Sequence, residues 1–341
     1  MTAITVAEPA GPPRHTERGG RRRRQSPWVG YLARRFLGVV ALVAILVIIT
    51  FLIVHLVPGD PARNVLGINA SAAQVAQVRE ELGLSDPIYV QFGHYVSHLF
   101  SGNLGTSYVT GQPVDTMIAQ RLPVTAELAG LAVAFVLVIG FPIGIAVGSL
   151  QHRQRAPWAG TVFTMFASLG GALPEYITGT LLILVIALGL KLLPVQGGTS
   201  LRGIILPVIA IGFAPAFIFA RLVRNETATV LSQEYITTAV SKRLPTWRLY
   251  GSHVLPNVVT STLTLGGLLL VALLGGTVVT ENVFNIPGLG TEIVQAILQS
   301  DYPAVQGIIL VLGGLAIAIT LAVDVVLGLI DPRTLVARRS R

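Results

Sequence analysis

Few residues in this chain have the types and spacing that chemistry requires. The chain has no cysteine, which excludes disulfides, thiolate metal sites and cysteine nucleophiles. Its two lysines, Lys191 and Lys242, follow Leu190 and Ser241, so the Gly-Lys pair of a phosphate-binding loop is absent. No grouping of His, Asp and Glu has the spacing of metal ligands, and no nucleophile–base arrangement can be identified. We therefore predict no catalytic residue, no metal site and no ATPase activity in this chain.

Three ionisable residues stand within long apolar stretches: His55, Glu175 and Asp324. An ionised carboxylate at the centre of a bilayer costs about 2.5–3.5 kcal/mol on insertion scales, so each carboxylate needs a physical explanation. Glu175 follows Pro174, and it either marks a kinked packing site or lines a water-filled path. Asp324 lies near the end of the last apolar stretch, where a basic partner can reach it, so we favour a structural role. His55 is interpreted as an interface histidine.

The elements that hold these residues are apolar segments. The 341 residues are 52% hydrophobic and 12% charged, whereas soluble proteins carry about 25% charged residues, so the bilayer is the expected solvent. A span requires about 20 mostly apolar residues and must be helical, because lipid satisfies no open backbone group. The sequence thus predicts an all-α integral membrane fold with six transmembrane helices: roughly Phe36–Val57, Leu128–Leu150, Met165–Leu190, Ile204–Val223, Val258–Val279 and Val305–Ile330.

Basic residues predict the orientation and the segment boundaries. With the N-terminus inside, 19 of the 24 Lys and Arg residues lie in cytoplasmic segments, as the positive-inside rule favours. The net charge of +8 is therefore attributed to membrane topology and not to nucleic acid. We predict a disordered basic cytoplasmic tail over 1–30, a six-helix transmembrane domain over 31–335 and a basic cytoplasmic tail over 336–341. The domain includes an extracytoplasmic loop, 58–122, and a cytoplasmic connector, 224–257.

The connector carries the most unusual stretch, EYITTAVSKRLPTWRLYGSHVLPN at 234–257. Residues 233–242 can form a short helix, in which Ile236, Ala239 and Val240 make an apolar stripe. Pro245 interrupts this helix and can open a second one, which we expect to stop near Pro256, where the fifth span begins. The connector either rests on lipid headgroups or docks a cytosolic partner.

The stretch resembles the cytoplasmic loop of ABC-importer permeases, whose pattern is EAA, three residues, Gly, nine residues, then I-x-L-P. The EAA positions fall on Thr237, Thr238 and Ala239, and the closing Leu-Pro falls on Leu255 and Pro256. Further stretches are similar to the first permease subunit of the dipeptide, oligopeptide and nickel branch: HLVPGDPA (55–62), GNLGTSYVTGQPV (102–114), RLPVTAELA (121–129), ENVFNIPGLG (281–290), DYPAVQG (301–307) and DPR (331–333). The resemblance covers roughly residues 30–335 in order.

The resemblance implies a fold, a function and a set of partners. The fold would be that of type I ABC-importer permeases with cytoplasmic coupling helices, in the cytoplasmic membrane and with both termini inside. A second, homologous permease would complete the path, two cytosolic ATPase subunits or domains would bind ATP and Mg, and an extracytoplasmic binding protein would deliver the substrate. This chain would hold no cofactor. Its ATPase-coupling residues would be Glu234, Tyr235, Thr237, Thr238, Ala239, Lys242, Arg243, Leu255 and Pro256.

One residue departs from the family pattern, because Arg243 stands where the family usually has glycine. Either Leu244 and Pro245 make the turn between the two short helices in another way, or Arg243 adds a charge contact to the partner. The candidates for the translocation path are Glu175, Asn285 and Pro287. The helices expected in the outer loop are SAAQVAQVREELG, with Ser71 as N-cap and Gly83 as stop, and DPIYVQFGHYVSHLF.

Peptides are the expected substrate, and nickel or glutathione-like solutes are the alternatives, because the same motifs serve all three. The residues alone leave two hypotheses from other functional classes open. An ion-driven secondary transporter or channel would carry buried carboxylates in its path, and a membrane scaffold would transport nothing.

Overall fold

The computed structural model of the chain describes residues 27–56, 61–66, 70–81, 83–152, 157–198 and 200–330, which are predominantly helical. In chain order the α-helices are α1 (Pro27–Leu56), α2 (Pro61–Leu66), α3 (Ala72–Glu81), α4 (Ile88–Phe100), α5 (Val114–His152), α6 (Pro157–Ala172), α7 (Glu175–Leu182), α8 (Leu201–Leu231), α9 (Glu234–Ser241), α10 (Thr246–Leu249), α11 (Leu255–Phe284), α12 (Leu289–Leu298) and α13 (Tyr302–Ile330). Two π-helical segments extend them: Ile183–Gly189 follows α7, and Tyr250–Val254 joins α10 to α11. The predicted all-α fold class is confirmed.

Four helices, α1, α5, α8 and α13, are long and apolar enough to cross a membrane, and the bent pair α6–α7 makes a fifth candidate. The predicted fifth span lies in α11, a helix of 30 residues whose described apolar stretch is Val271–Phe284. Each predicted span therefore lies in a helix or a helix pair. The total of six crossings stays a prediction.

The third predicted span is not one straight helix, which corrects the expectation. The chain breaks after α6, and the direction changes by 94° before α7 and its π-helical extension. The cause is Pro174, which is extended at φ −60° and ψ 143° and has no N–H for a continuing helix. Its carbonyl instead accepts the backbone N–H groups of Ile177 and Thr178 in the first turn of α7. The kink expected at Pro174 is therefore a full change of direction.

Several helices are longer than the apolar segments predicted. Helix α5 begins at Val114, inside the segment assigned to the outer loop, and α8 continues to Leu231, inside the segment assigned to the connector. Residues 27–30 belong to α1 and not to the predicted tail. Apolarity marks the lipid-facing length of a helix, whereas hydrogen bonding continues into water, so hydropathy underestimates these lengths. Residues 1–26 and 331–341 lie outside the described part of the chain, as do 57–60 within HLVPGDPA.

Both helices predicted in the outer loop are confirmed. Ser71 caps α3, since its hydroxyl accepts the N–H of Gln74 at 3.3 Å while the Gln74 side chain accepts the Ser71 N–H at 2.9 Å. This reciprocal pair satisfies two otherwise unpaired donors. Gly83, at φ +65°, lies just past the end of α3. Helix α4 packs against α1 through the ring of Phe92, 5.1 Å from that of Phe51.

Asp324 has the basic partner that the sequence predicted. It lies in α13 and forms an ion pair with Arg35 near the start of α1. The two groups are about three-quarters buried, so each compensates the charge of the other. This contact joins the first span to the last. His55 lies in the final turn of α1, and its side chain is outside the described part of the structure.

The most extensive helix contact joins α5 to α8 and is made through glycines. Gly140, Gly144 and Gly148 are buried and spaced four residues apart, so they lie on one face of α5. A Cβ at Gly144 would lie 2.6 Å from the Ala220 carbonyl oxygen and 2.6 Å from the Val223 Cβ. Small residues permit such close approach of backbones in lipid, where apolar side chains gain no hydrophobic driving force from association.

We expect Gly144→Ala to destabilise the bundle, because the added methyl overlaps both the backbone and a side chain of α8. Overpacking of this kind costs about 1–3 kcal/mol, although alanine favours a helix over glycine by about 1 kcal/mol. Gly130→Ala on the same helix is the matched control, because nothing lies within 4 Å of its Cβ position. Thermal unfolding in detergent measures both variants. A Gly144→Ala protein that melts with or above the control contradicts this account.

Candidate functional site

The predicted coupling element is a pair of short helices between two long ones. Helix α8 ends at Leu231 and is followed within three residues by α9, which begins at Glu234. Glu234 places its negative charge in the first turn of α9, where the helix dipole favours it. A turn of four residues, Lys242–Pro245, then leads into α10. We call α9, this turn and α10 the jointed element.

Arg243 makes the turn by adopting the left-handed conformation itself, with φ at +55°. Its N–H donates to the Val240 carbonyl at 2.9 Å, and the N–H of Leu244 donates to the Ala239 carbonyl at 3.3 Å. These two bonds are the Schellman arrangement, which ends a helix and satisfies its last carbonyls. The glycine of the family pattern thus corresponds to a genuine left-handed position. The alternative in which Leu244 and Pro245 replace that conformation is wrong.

The jointed element has one buried face and one exposed face. Ile236, Ala239 and Leu249 are buried and join the main apolar core of the bundle. Val240, predicted to share the apolar stripe, is 56% exposed and is therefore a correction. The buried face of α9 is narrow and contains only Ile236 and Ala239. The polar predicted residues, Thr237, Thr238 and Lys242 among them, are exposed.

Three large apolar side chains remain exposed on the jointed element: Tyr235, Val240 and Trp247. Trp247 is 70% exposed, and the Arg248 guanidinium lies 5.1 Å from the centre of its ring. An exposed tryptophan in a stable loop is unusual, because a Trp buries about 150–250 Å² when it is covered. These three side chains are therefore candidates for contact with a partner.

The second short helix does not stop before the fifth span, which corrects the expectation. Helix α10 runs through the π-helical segment Tyr250–Val254 directly into α11. Pro256 stands at the second position of α11, and Leu255 at the first, where both side chains are exposed. A π-helical turn inserts an extra residue and leaves room for a proline that has no N–H to donate. The jointed element is thus continuous with α11.

At the opposite end of α11, Glu281 organises the segment ENVFNIPGLG. Its carboxylate is fully buried and accepts the Thr125 hydroxyl at 2.7 Å and the N–H of Gly290 at 2.6 Å and of Thr291 at 3.2 Å. The Thr125 oxygen accepts in turn the Leu289 N–H at 2.8 Å. The first N–H groups of α12 therefore find their partners on α11 and α5.

The turn between α11 and α12 exposes two of the predicted path residues. Asn285 ends α11 in the left-handed conformation, with φ at +52°, and Pro287 follows it in the turn. Both side chains are exposed. Below them, Arg121 of α5 forms an ion pair of 2.7 Å with the mostly buried Glu292 of α12. We call residues 281–292 the outer turn.

A second buried carboxylate joins two more of the motifs. Asp301, 3% exposed, accepts the Ser107 hydroxyl and, at 3.0 Å, the N–H of Tyr108. Ser107 also accepts the N–H of Thr110 at 3.0 Å, which closes the loop within GNLGTSYVTGQPV. Burial, together with the neighbouring Asp301 carboxylate, raises the pKa of Tyr108 above its ordinary value. The loop is thereby held to the segment that begins α13.

Glu175 lies at the first position of α7, directly after the break at Pro174. It is half-buried, and its carboxylate lies against α11, where a Cβ on Gly276 would come within 2.5 Å of Glu175 Oε2. The structure thus brings Glu175 to α11, five residues before the outer turn begins. Among the described residues, Glu175 forms no hydrogen bond or ion pair with Asn285 or Pro287. The three path candidates therefore form no single cluster.

Sequence reasoning missed the residues that hold these segments together: Arg121, Thr125, Glu281 and Asp301. All four belong to stretches that were singled out as motifs, and a buried acid within a turn-rich motif was the available signal. The sequence could not predict that these residues pair with residues more than 150 positions away. Such pairing depends on how helices that are distant in the sequence pack together. Within the described ranges, no group of three or more His, Asp or Glu residues could hold a metal ion.

We expect Glu281→Gln and Thr125→Val each to lower stability by about 1.5–3 kcal/mol, because each removes a buried hydrogen bond to a charged group. The double variant should lose less than the sum, since both residues serve one network. Thermal unfolding of the four proteins in detergent measures this cycle. Glu127→Gln, an exposed carboxylate on α5, is the matched control. Strict additivity would show that Glu281 and Thr125 act independently.

Comparison with known proteins identifies the chain. The family model described as binding-protein-dependent transport system inner membrane component matches residues 140–336, and the N-terminal model of the same kind matches residues 28–129. A protein of Sinorhizobium fredii named probable peptide ABC transporter permease is 35% identical over 311 residues, which are 89% of this chain and 98% of that protein. The glutathione transport system permease of Salmonella typhi is 37% identical over 304 residues, with the same coverage.

Among solved structures, an inward-facing form of the MetNI methionine ABC transporter matches with a TM-score of 0.52 at 16% identity, covering 63% of this chain and 96% of that one. This likeness supports the type I permease fold predicted from the resemblance. Permeases of this kind are multi-pass membrane proteins that work with ATPase and other permease subunits. The comparisons therefore favour an ABC permease over the two alternative hypotheses, an ion-driven transporter and a membrane scaffold. The chain belongs to the family of binding-protein-dependent transport system inner membrane components and is a permease subunit of an ABC importer.

Proposed function

We propose that this permease imports peptides and that the jointed element receives the force of a cytosolic ATPase. The observation that carries the proposal is the exposure of three large apolar side chains, Tyr235, Val240 and Trp247, on an element rooted in the core. Because Ile236, Ala239 and Leu249 anchor the element to the core, these side chains cannot turn inward without unpacking it. A partner protein covers them.

The connections of the jointed element are suited to passing on a displacement. Only two residues separate α8 from α9, and α10 continues through the π-helical segment into α11. A movement of the element therefore displaces both long helices. Of these two helices, α11 lies against Glu175 and ends at the outer turn, so closure of the ATPases would switch the path between inward and outward access.

The proposed path runs along α11. Ala272, Gly275, Val279 and Asn282 are exposed at spacings of three and four residues, which places them on one side of the helix. Glu175 lies beside this side at Gly276, and Asn285 and Pro287 lie at its outer end. Small and polar side chains leave room for a hydrated solute. The homologous second permease would supply the opposite wall.

The names of relatives support the substrate class. One similar permease is named for peptide transport and another for glutathione transport. Peptides are therefore the first candidate and glutathione the second, since glutathione is itself a small peptide. A substrate-binding protein on the outer side would deliver the solute to the loop before α5 and to the outer turn.

The proposed orientation places both termini and the jointed element in the cytoplasm, in accordance with the distribution of basic residues. ATP and Mg would be bound by the partner subunits and not by this chain. Its sequence has no Gly-Lys pair with which to hold a phosphate.

Trp247→Ser tests the contact with the ATPase. We expect the affinity of the permease for the ATPase subunit to fall about 30-fold, because exposed tryptophans at interface centres contribute about 2 kcal/mol or more. Substrate-stimulated ATP hydrolysis and uptake should fall together, and the melting temperature of the isolated chain should stay unchanged. Leu298→Ser, at an 80% exposed leucine of α12, is the control. Full coupling in the Trp247 variant would refute the assignment.

Arg243→Gly separates backbone strain from charge. Glycine relieves a left-handed conformation that costs other residues about 1–2 kcal/mol, so the isolated chain should be slightly more stable and should insert normally. Coupled ATP hydrolysis should change modestly, because the charge is lost. Arg243→Asn, which tolerates the same conformation, should reproduce the coupling change, and Arg243→Lys should restore it. Unchanged hydrolysis in all three variants would show that the charge contacts no partner.

A further inference from the structure

A cavity of about 570 Å³ opens between the end of the π-helical segment after α7 and the start of α8. Its lining includes Lys191, Pro194, Ser200 and Arg202, together with apolar side chains of the same loop. Nothing in the coupling mechanism uses it. The loop is well anchored, since the Leu190 N–H donates to Val185 at 2.9 Å and the Leu192 N–H donates to Ile186 at 3.1 Å.

The charge of this cavity is positive and uncompensated. Lys191 and Arg202 form no ion pair with any residue of the described ranges. They are two of the five basic residues on the side predicted to be extracytoplasmic, where membrane proteins carry few of them. Arg121, a third, is neutralised by Glu292. Two exposed cations without an ion-pair partner among the described residues make this opening attractive to an anion from outside the chain.

The rim of the cavity is apolar. Leu190, Leu192 and Leu201 are all exposed, and Leu201 is 87% so. They continue the exposed apolar surface of the π-helical segment, which includes Leu184 and Leu188. Leucines exposed to this degree beside cations are typical of the boundary between hydrocarbon and headgroups. The missing anion should thus carry an apolar tail.

We propose that this cavity binds the phosphate of an anionic phospholipid of the outer leaflet, with the acyl chains along the exposed leucines. The assignment to the outer leaflet rests on the orientation given under the proposed function, whereas the binding itself does not. Lys191 and Arg202 attract the phosphate, and the Ser200 hydroxyl, which accepts the Gly203 N–H at 3.1 Å, keeps its own proton to donate.

Occupancy of the cavity would be felt at the outer turn. The Gly197 N–H of the same loop donates to the Phe284 carbonyl at the end of α11, at 2.8 Å. A Cβ on Gly197 would lie 2.5 Å from the Ile286 side chain, so the loop and the outer turn are in close contact. A lipid bound to this loop would therefore also act on the outer turn.

The test is binding of phosphatidylglycerol to the purified chain, measured by native mass spectrometry against phosphatidylcholine as the neutral lipid. In Lys191→Gln/Arg202→Gln, phosphatidylglycerol should bind roughly 30-fold more weakly, and phosphatidylcholine should bind as before. Arg63→Gln, an exposed cation of α2 on the same side, is the matched control and should bind normally. Lys191→Arg/Arg202→Lys, which retains both charges, should also bind normally.

Each other outcome overturns the proposal. Equal binding of the two lipids, or unchanged binding in the double Gln variant, removes the headgroup site. Displacement by millimolar inorganic phosphate would show that free phosphate, and not lipid, is the ligand. The leaflet is checked separately with Gly198→Cys, a position with open space in a chain that has no native cysteine. Labelling by an impermeant maleimide from outside supports the outer leaflet, and labelling from inside only would overturn the orientation while lipid binding stands.

Discussion

The close contact of α5 with α8 is the constraint on which the rest of the structure depends. In lipid, leucines and valines gain little from association, so two helices pair strongly only where their backbones approach. Gly140, Gly144 and Gly148 permit that approach, and no larger residue fits at Gly144. This pairing places the outer part of α5, with Arg121 and Thr125, beside the outer turn. It also places the inner end of α8 where the jointed element begins.

Two buried carboxylates then connect segments that are far apart in sequence. Glu281 holds the start of α12 to α5, and Asp301 holds the loop around Ser107 to the start of α13. Each acid is acceptable in a buried place because hydroxyl and backbone donors surround it. These family motifs are therefore bonded in pairs.

The jointed element keeps the left-handed helix end of the family pattern although the usual glycine is absent. The family pattern has glycine at a position that requires a left-handed backbone, and here Arg243 occupies it at φ +55°. The two Schellman hydrogen bonds and the packing of Leu244 on the core keep the conformation despite its cost. An arginine in that position also adds an exposed charge to the jointed element.

The sequence by itself determined the solvent, the helices and the family. Apolar length, the scarcity of charge and the placement of arginines required membrane helices, and ordered motifs identified the permease family. The sequence also predicted the kink at Pro174 and the ends of the outer-loop helix at Ser71 and Gly83, because these residues act on their own neighbours in the chain. The partners of Glu281 and Asp301, the 94° bend, the exposure of Val240 and the continuity of α10 with α11 were decided only in the tertiary structure. Each of these depends on which helices pack together, and a single sequence encodes that packing only through contacts between residues far apart in the chain.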